Sequence, residues 1–280
     1  MNILYCGDRG IEKGVVISTL SILKYTKEPL DVFILTAGFS SEERDYVPVT
    51  EKFCAGLQRI LNEEAGEERA KVKLIDATGE FMRKFPHKNG NTSFTPGCML
   101  RLYADMFDEL PDRVLYLDND IVALKDPAEF YHMDIEKHEI TGVLDNYGAH
   151  FFHQDRGENK KDYLNSGVLL LNMKLIRETG LFAEARAMCR TKKMFMPDQS
   201  SINDLCHTKQ FVPRKYNEQA KIQDDTVFRH YTTTFEALPF PHPQKVKPWQ
   251  IDRLHDILKE HSHDDILALY EKYYPEIKDE

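Results

Sequence analysis

Short apolar runs alternate with longer amphipathic stretches along the chain, and this alternation constrains the fold more than any other feature. The apolar runs predict strands at residues 3–6, 31–35, 72–76, 113–117, 121–124, 140–144 and 168–172. Amphipathic spacing and capping residues predict helices at 15–25, 40–62, 96–110, 174–190 and 200–206, whereas residues 232–247 are predicted to form a long loop. Such alternation is typical of a mostly parallel sheet flanked by helices. We therefore predict one α/β domain over residues 1–250, with residues 251–280 as a helical C-terminal tail of the same domain.

Composition and charge narrow the class of protein. Hydrophobic residues make up 41% and charged residues 30%, which is ordinary globular usage and excludes disordered and fibrous chains. The net charge of −9 repels phosphate polymers and anionic lipid, so we expect no nucleic-acid partner and no membrane surface. No apolar run approaches the roughly 20 residues that span a bilayer, and we find no secretory signal. The five cysteines lack metal-finger spacing, so we expect reduced thiols and a cytoplasmic location.

Two carboxylates directly follow one of the predicted strands. The strand at 113–117 runs into Asp118-Asn119-Asp120. An uninterrupted apolar run is typical of a central parallel strand, and ligands bind beyond the carboxyl ends of such strands. Asp118 and Asp120 can project toward the same side, where a hard divalent cation would relieve their repulsion. The alternative is a solvated acidic turn, which the buried strand before it makes the weaker interpretation.

Several segments together carry a family resemblance. In chain order they are Ile3-Leu-Tyr-Cys6-Gly-Asp8, Arg101-Leu-Tyr-Ala-Asp105, Pro111-Asp-Arg-Val-Leu-Tyr-Leu-Asp118-Asn-Asp120, Asn165-Ser-Gly-Val-Leu-Leu-Leu-Asn172, Asp198-Gln199, His230-Tyr231 and Lys247-Pro248-Trp249. The series resembles glycosyltransferase family 8, which includes bacterial lipopolysaccharide galactosyl- and glucosyltransferases and glycogenin. The resemblance implies a nucleotide-sugar-binding fold of the GT-A type. It also implies retaining transfer of a hexose from UDP-glucose or UDP-galactose to a saccharide or other hydroxyl acceptor.

The resemblance also implies roles for individual residues. Mn²⁺, with Mg²⁺ as a second option, would be bound by Asp118, Asp120 and His230. The nucleotide sugar would be contacted by Cys6, Gly7, Asp8, Arg101, Asp118, Asn119, Asp145, Asn165 and Lys247. In that set, Asp8 would accept a hydrogen bond from the uracil N–H, and Arg101 would neutralise the diphosphate or orient the carboxylates. Catalysis around the transferred sugar would be carried by Gln199, Asp198 and Asn165.

The chain departs from the family pattern in the spacing between His230 and Lys247. The pattern His-x-x-Gly-x-x-Lys-Pro-Trp places its His and Lys six residues apart, whereas His230 and Lys247 are 17 apart. The inserted residues 232–246 contain no glycine, and they make His242 a second candidate metal ligand. We expect this insertion to fold over the bound donor as a lid.

The alternative functions are a metal-dependent nucleotide-sugar hydrolase or nucleotidyltransferase, and a non-catalytic nucleotide-sugar-binding protein.

Overall fold

A computed structural model of the chain describes residues 1–41, 44–90, 96–145, 163–236 and 242–278. The strands within these ranges are β1 (Asn2–Gly7), β2 (Leu30–Thr36), β3 (Phe39–Ser40), β4 (Asp45–Tyr46), β5 (Ala70–Asp76), β6 (Arg113–Leu117), β7 (Ile121–Ala123), β8 (Ile140–Leu144), β9 (Leu164–Asn172), β10 (Lys209–Phe211), β11 (Phe228–His230), β12 (Thr234–Glu236) and β13 (His242–Gln244). Each of the predicted strands is present, and β9 begins at residue 164 rather than at 168.

The α-helices of the same ranges are α1 (Glu12–Tyr25), α2 (Glu51–Ala65), α3 (Thr78–Arg83), α4 (Ala128–Tyr131), α5 (Met173–Thr179), α6 (Leu181–Thr191), α7 (Pro197–Leu205), α8 (Ile251–Arg253) and α9 (Asp264–Ile277). There are also 3₁₀ helices over Arg9–Ile11, His87–Asn89, Pro96–Met106 and Arg214–Tyr216, and a π turn over Leu254–Leu258. None of these helices is both long enough and apolar enough to cross a lipid bilayer.

Seven of the described strands form one mixed sheet in the order β10-β8-β9-β6-β1-β2-β5. The pairings are parallel except that β9 runs against both of its neighbours, β6 and β8. This arrangement confirms the predicted α/β class with a mostly parallel sheet. Because β9 is reversed, its first residues lie at the edge where β6 and β8 end: Leu117 pairs with Val168, and Leu144 pairs with Leu164.

The sheet is buried on both faces, as the apolar runs predict. In β6, Leu115 and Leu117 belong to an apolar cluster that includes residues of α1, α2 and α9. Val114 and Tyr116 belong to a second cluster that includes residues of the 3₁₀ helix Pro96–Met106 and of α6. Successive side chains of a strand point to opposite faces, so a strand covered on both sides must be apolar throughout. The C-terminal helix α9 thus shares its core with α1 and α2.

The helix predicted over residues 40–62 is wrong in its first half. Strands β3 and β4 occupy that part of the chain, and α2 begins only at Glu51. The side-chain oxygen of Thr50 accepts a hydrogen bond from the Phe53 N–H (3.2 Å) and caps α2. Pro48 explains the error, because proline lacks the N–H that a helical hydrogen bond needs and its ring clashes with the preceding turn, which disfavours a helix through this position. Residues 42 and 43 of the predicted helix start lie outside the described part of the chain.

Other segments differ from the prediction in their detail. Gly180, at φ 75°, separates α5 from α6, so the helix predicted over 174–190 is two helices. Glycine adopts this left-handed conformation without steric cost because it has no Cβ. The helix predicted over 96–110 is the 3₁₀ helix Pro96–Met106. The loop predicted over 232–247 contains a hairpin of β12 and β13, but residues 237–241 lie outside the described part, and the lid stays a prediction.

Candidate active site

Polar side chains from distant parts of the chain meet at one edge of the sheet. Asp8 follows β1, Asp118 follows β6 and Asp145 follows β8, and these strands all end at that edge. Asn165 and Ser166 lie at the start of β9 and reach the same edge because β9 runs in the opposite direction. In open α/β sheets, ligands bind beyond the carboxyl ends of the parallel strands. This edge is therefore the candidate active site.

The side chains of Asp118, Asp120 and His230 converge there. Nε2 of His230 lies 3.4 Å from Oδ1 of Asp120 and 3.9 Å from Oδ2 of Asp118. One ligand atom from each residue lies within 4.8 Å of the other two. Oδ1 of Asp120 is buried and has no hydrogen-bond partner in the described part of the chain. Buried polar atoms normally have a partner, so this oxygen is suited to bind a cation. Two carboxylates and one imidazole suit a divalent metal ion, so these residues fit the predicted metal.

Strand pairing carries His230 to the two aspartates. β7 follows Asp120 and pairs antiparallel with β11, so Ile121 lies opposite His230. The Tyr231 N–H donates to the Asp120 carbonyl (3.0 Å) and fixes the end of this pairing. A histidine more than 100 residues away in sequence thereby becomes a neighbour of the strand-end aspartates.

Two glycines allow close approaches that a side chain would block. A Cβ at Gly167 would lie 2.3 Å from Cε1 of His230, so glycine is required for the imidazole ring to lie against β9. A Cβ at Gly14 would lie 1.9 Å from the carbonyl oxygen of Asn119, so glycine lets α1 pack against the aspartate turn. The two glycines thus fix the positions of His230 and of the turn that carries Asp118 and Asp120.

Lys247 contacts the other oxygen of Asp120. Its ammonium donates to Oδ2 of Asp120 and to the Tyr231 carbonyl (2.9 Å). Burial would raise the pKa of Asp120, but the charge of the nearby Lys247 ammonium is the largest opposing effect, and that pKa is held below its usual range. The fold thus brings His230 and Lys247 to one carboxylate despite their unusual spacing. The side chain of His242, the other candidate ligand, lies outside the described part.

Arg101 connects the carboxylates to β9. Its buried guanidinium donates to Oδ1 of Asp118 (2.8 Å) and to the Ser166 carbonyl (2.6 Å), and its Nε lies 3.2 Å from Oδ2 of Asp198. The Tyr116 hydroxyl donates to the same Asp118 oxygen (2.6 Å), and burial raises the pKa of Tyr116, so this proton is retained. Of the two roles predicted for Arg101, this geometry favours orientation of the carboxylates over contact with a diphosphate.

Asp198 and Gln199 lie in the first turn of α7, and both are buried. Nε2 of Gln199 donates to Oδ2 of Asp145 (3.0 Å), and its Oε1 accepts from the Ser166 N–H (2.9 Å). Burial raises the pKa of Asp198, although the nearby Arg101 guanidinium opposes the rise. These side chains form a buried polar wall beside the metal-ligand group.

Amide groups link Asp145 to His230 through a residue that the sequence analysis missed. Nδ2 of Asn165 donates to Oδ2 of Asp145 (2.8 Å), and Oδ1 of Asn165 accepts from Nδ2 of Asn217 (2.9 Å). Oδ1 of Asn217 lies 3.0 Å from Nδ1 of His230. Asn217 is fully buried, but it follows a short 3₁₀ helix and carries no motif. An asparagine in a polar segment is more often a turn residue, so only the folded chain reveals this one.

Cys6, Gly7 and Asp8 lie where β1 ends at the same edge. Burial raises the pKa of the Cys6 thiol, so it is not a reactive thiolate. Oδ2 of Asp8 lies 3.6 Å from the Arg44 guanidinium, but burial outweighs this cation and raises the pKa of Asp8. The segment lies where a donor nucleotide could reach it, and its contact with the base stays a prediction.

A second group of possible metal ligands lies near the C-terminus. Nε2 of His255 and Nδ1 of His261 lie 2.8 Å and 3.0 Å from the two carboxylate oxygens of Asp264. These side chains are more exposed than those of Asp120 and His230. Metal titrations of this protein therefore have to separate the two groups.

Comparisons with known proteins bear on the family. The model of glycosyl transferase family 8 matches residues 2–252. A Haemophilus influenzae protein named as a glycosyltransferase is 21% identical over 223 residues, which cover 78% of this chain and 63% of that protein. The lipopolysaccharide 1,3-galactosyltransferase of Salmonella typhimurium is 25% identical over 254 residues, which cover 82% of this chain and 70% of that protein. The chain thus spans about two thirds of the length of these relatives.

The fold agrees with this family. The structure of galactosyltransferase LgtC in complex with donor and acceptor sugar analogs matches with a TM-score of 0.72 and 17% identity, over 98% of this chain and 96% of that chain. This similarity confirms the GT-A type of fold predicted from the sequence. Since the family model also covers nearly the whole chain, this protein belongs to glycosyl transferase family 8.

Proposed function

We propose that this protein transfers glucose or galactose from UDP-glucose or UDP-galactose to a hydroxyl of a saccharide acceptor, with retention of the anomeric configuration. The observation that carries the proposal is the convergence of Asp118, Asp120 and His230 beside a buried set of hydrogen-bonding side chains. Family membership supports the reaction class. The relatives named as galactosyltransferases support a hexose as the transferred sugar.

Mn²⁺, with Mg²⁺ as a second option, would be held by Oδ2 of Asp118, Oδ1 of Asp120 and Nε2 of His230. When bound, it would take up negative charge on the diphosphate as UDP leaves. Lys247 already lies on Asp120, and its flexible side chain can reach from there to a donor phosphate oxygen. Arg101 would hold Asp118 in place through its hydrogen bond to Oδ1, which leaves Oδ2 for the cation.

The nucleotide would lie where β1 ends. Asp8 would accept a hydrogen bond from the uracil N–H, with Cys6 and Gly7 beside the base. Asn119 lies between the two proposed metal-ligating aspartates, so it would contact the donor next to the metal. These contacts would place the sugar over the buried polar wall at the start of β9.

The sugar hydroxyls would be bound by Asp145, Asn165 and Gln199. Their mutual hydrogen bonds already fix their positions, and such preorganised groups stabilise developing charge without reorganising. Oε1 of Gln199 accepts from both the N–H and the hydroxyl of Ser166, and a neutral amide oxygen so engaged is a weak nucleophile. We therefore favour attack by the acceptor hydroxyl on the face from which UDP leaves, with the leaving phosphate as base. Asp198 would support this wall through Arg101.

UDP release with and without an acceptor tests the proposal. With Mn²⁺ and UDP-glucose or UDP-galactose, we expect saccharide acceptors to accelerate UDP release strongly. We also expect the anomeric proton coupling of the product, measured by NMR, to show the configuration of the donor. Equal UDP release without acceptor would indicate a hydrolase. Release of pyrophosphate in a parallel assay with UTP and glucose 1-phosphate would indicate a nucleotidyltransferase. Tight donor binding without turnover would indicate a non-catalytic binding protein, and each of these results would overturn the proposal.

A further inference from the structure

The amide chain between Asp145 and His230 has a direction. A carboxylate can only accept hydrogen bonds, so Asp145 must receive the Nδ2 group of Asn165 (2.8 Å). Oδ1 of Asn165 then points the other way, and the Gly167 backbone N–H donates to it (3.0 Å), which independently fixes the same orientation. The same oxygen accepts from Nδ2 of Asn217 (2.9 Å).

The direction continues to the imidazole ring. Since Asn217 donates through Nδ2 to Asn165, it presents Oδ1 to His230. An amide oxygen only accepts, so the proton between these groups must belong to Nδ1 of His230, which lies 3.0 Å away. In the neutral ring Nε2 is then unprotonated, and its lone pair faces the oxygens of Asp118 and Asp120.

We propose that Asn217 is a positioning residue that holds His230 in the tautomer protonated on Nδ1 and so leaves Nε2 as a metal ligand. The proposal rests on the metal site of the proposed function, but it is independent of the sugar and the acceptor. Histidines that bind metals generally donate their other ring N–H to an oxygen, which fixes the tautomer and the ring orientation. Here that oxygen comes from Asn217. The orientation of Asn217 is set by Asp145, to which it is connected by two hydrogen bonds through Asn165.

Burial makes this hydrogen bond hard to replace. Asn217 is 0% exposed and His230 is 4% exposed, so bulk water does not reach the Nδ1 side of the ring. The His230 ring lies against Gly167 of β9, at a position where any side chain would collide with it. Removing the amide oxygen therefore leaves a buried N–H without an acceptor and removes the preference for one tautomer.

A long-range ¹H–¹⁵N NMR spectrum of the metal-free protein tests the tautomer directly. The spectrum reports which ring nitrogen carries the proton, and the His230 signals are assigned by their loss in His230→Gln. At a pH where the ring is neutral, we expect a protonated Nδ1 and a bare Nε2. A proton on Nε2 with a bare Nδ1 would overturn the proposal.

Substitutions at Asn217 test the consequence for metal binding. Mn²⁺ affinity is measured by electron paramagnetic resonance in a His261→Ala background, which disables the C-terminal ligand group. We expect Asn217→Ala to raise the Kd for Mn²⁺ about 10- to 100-fold. Asn217→Asp keeps an oxygen acceptor for Nδ1 but loses the Nδ2 donor to Asn165, so it should restore part of the affinity that Asn217→Ala loses. Asn89→Ala is the matched control, because Asn89 is equally buried but donates to the Cys189 (2.5 Å) and Lys192 (2.8 Å) carbonyls rather than to a proposed metal ligand.

The outcomes separate this proposal from the proposed function. A folded Asn217→Ala protein with unchanged Mn²⁺ affinity would overturn the role of Asn217. If that variant does not fold, the NMR spectrum of the unmodified protein still shows which ring nitrogen of His230 carries the proton, and so tests the proposal. Failure to transfer sugar, with the proton found on Nδ1, would overturn only the proposed function. Full transfer activity, with the proton found on Nε2, would overturn only the tautomer.

Discussion

At Gly167, the absence of a single methyl group lets His230 reach the two aspartates. Gly167→Ala would place Cβ 2.3 Å from the ring, so either the ring or β9 has to move. We expect Mn²⁺ affinity to fall at least tenfold and the free energy of unfolding to fall by about 1–3 kcal/mol. Mn²⁺ titration and urea unfolding measure the two effects.

Gly79→Ala is the control for this substitution. Gly79 lies in α3, and a Cβ there meets nothing within 4 Å, so alanine should leave Mn²⁺ affinity unchanged. Alanine should also stabilise this helix by about 0.5–1 kcal/mol. If Gly167→Ala bound Mn²⁺ as tightly as Gly79→Ala, the position inferred for His230 would be wrong.

Gln199 tests the separation of sugar and nucleotide contacts. Because Gln199 touches Asp145 and Ser166, Gln199→Ala should lower kcat much more than it weakens UDP binding. Steady-state kinetics and calorimetric titration with UDP measure the two quantities. Gln58→Ala is the matched control, since Oε1 of Gln58 also accepts a backbone hydrogen bond, from Val72 (2.9 Å), outside the site. A parallel loss of UDP affinity would assign Gln199 to the nucleotide site.

Sequence motifs name some residues of this site and not others. Asp118 and Asp120 could be predicted because two carboxylates directly after a buried strand are a local pattern. Asn217 could not be predicted, because its importance lies in hydrogen bonds to residues 52 and 13 positions away. Which partner an amide finds depends on how strands and loops pack, and that information is not local.

At the scale of elements, the strands followed from their apolar runs, but their directions did not. A run such as that of β9 is buried equally well whichever way it points, so its reversal could not be predicted from hydrophobicity. That reversal places Asn165 and Ser166 at the active edge rather than at the opposite one. The start of the helix predicted over residues 40–62 was wrong because the surrounding residues favour a helix, whereas the single Pro48 prevents one before Glu51.

His263, directly before α9, makes the stability of this region depend on pH. Its carbonyl accepts from the N–H groups of Ile266 (3.0 Å) and Leu267 (3.1 Å) at the start of the helix. Burial lowers the pKa of His263 from 6.5 to about 4, although Asp264 and Asp265 oppose the change. Between these two values the unfolded chain binds a proton that the folded chain does not. The free energy of unfolding therefore falls as pH drops through this window, by about 3 kcal/mol in total.

Urea unfolding in EDTA at pH 7 and pH 5 measures this dependence. We expect about 2 kcal/mol of the fall between these pH values to disappear in His263→Gln, which cannot be protonated. His207→Gln is the control, because His207 is exposed and its loss should leave the pH dependence unchanged. If the free energy of unfolding fell equally in His263→Gln and in the unmodified protein, the lowered pKa of His263 would not be the cause of the pH dependence.

At the scale of the whole molecule, the site gathers residues from Asp8 to Lys247 and exists only in the folded chain. The protein carries a net charge of −9, which disfavours an anionic nucleotide sugar. The local cations Arg101 and Lys247 are paired with Asp118 and Asp120, so they leave little positive charge for a diphosphate. A bound divalent cation would change this balance, and donor binding should therefore depend on it.

Metal-dependent transfer at Asp120 is the claim from which the proposed function follows, and one comparison tests it most directly. UDP-sugar transfer and Mn²⁺ binding are measured for Asp120→Asn and for Asp108→Asn, an exposed aspartate at the opposite end of β6. We predict that Asp120→Asn loses detectable transfer and Mn²⁺ binding at this site while it still unfolds cooperatively. Asp108→Asn should match the unmodified protein in both. An active Asp120→Asn variant, or full activity of the unmodified protein in EDTA, would contradict the claim.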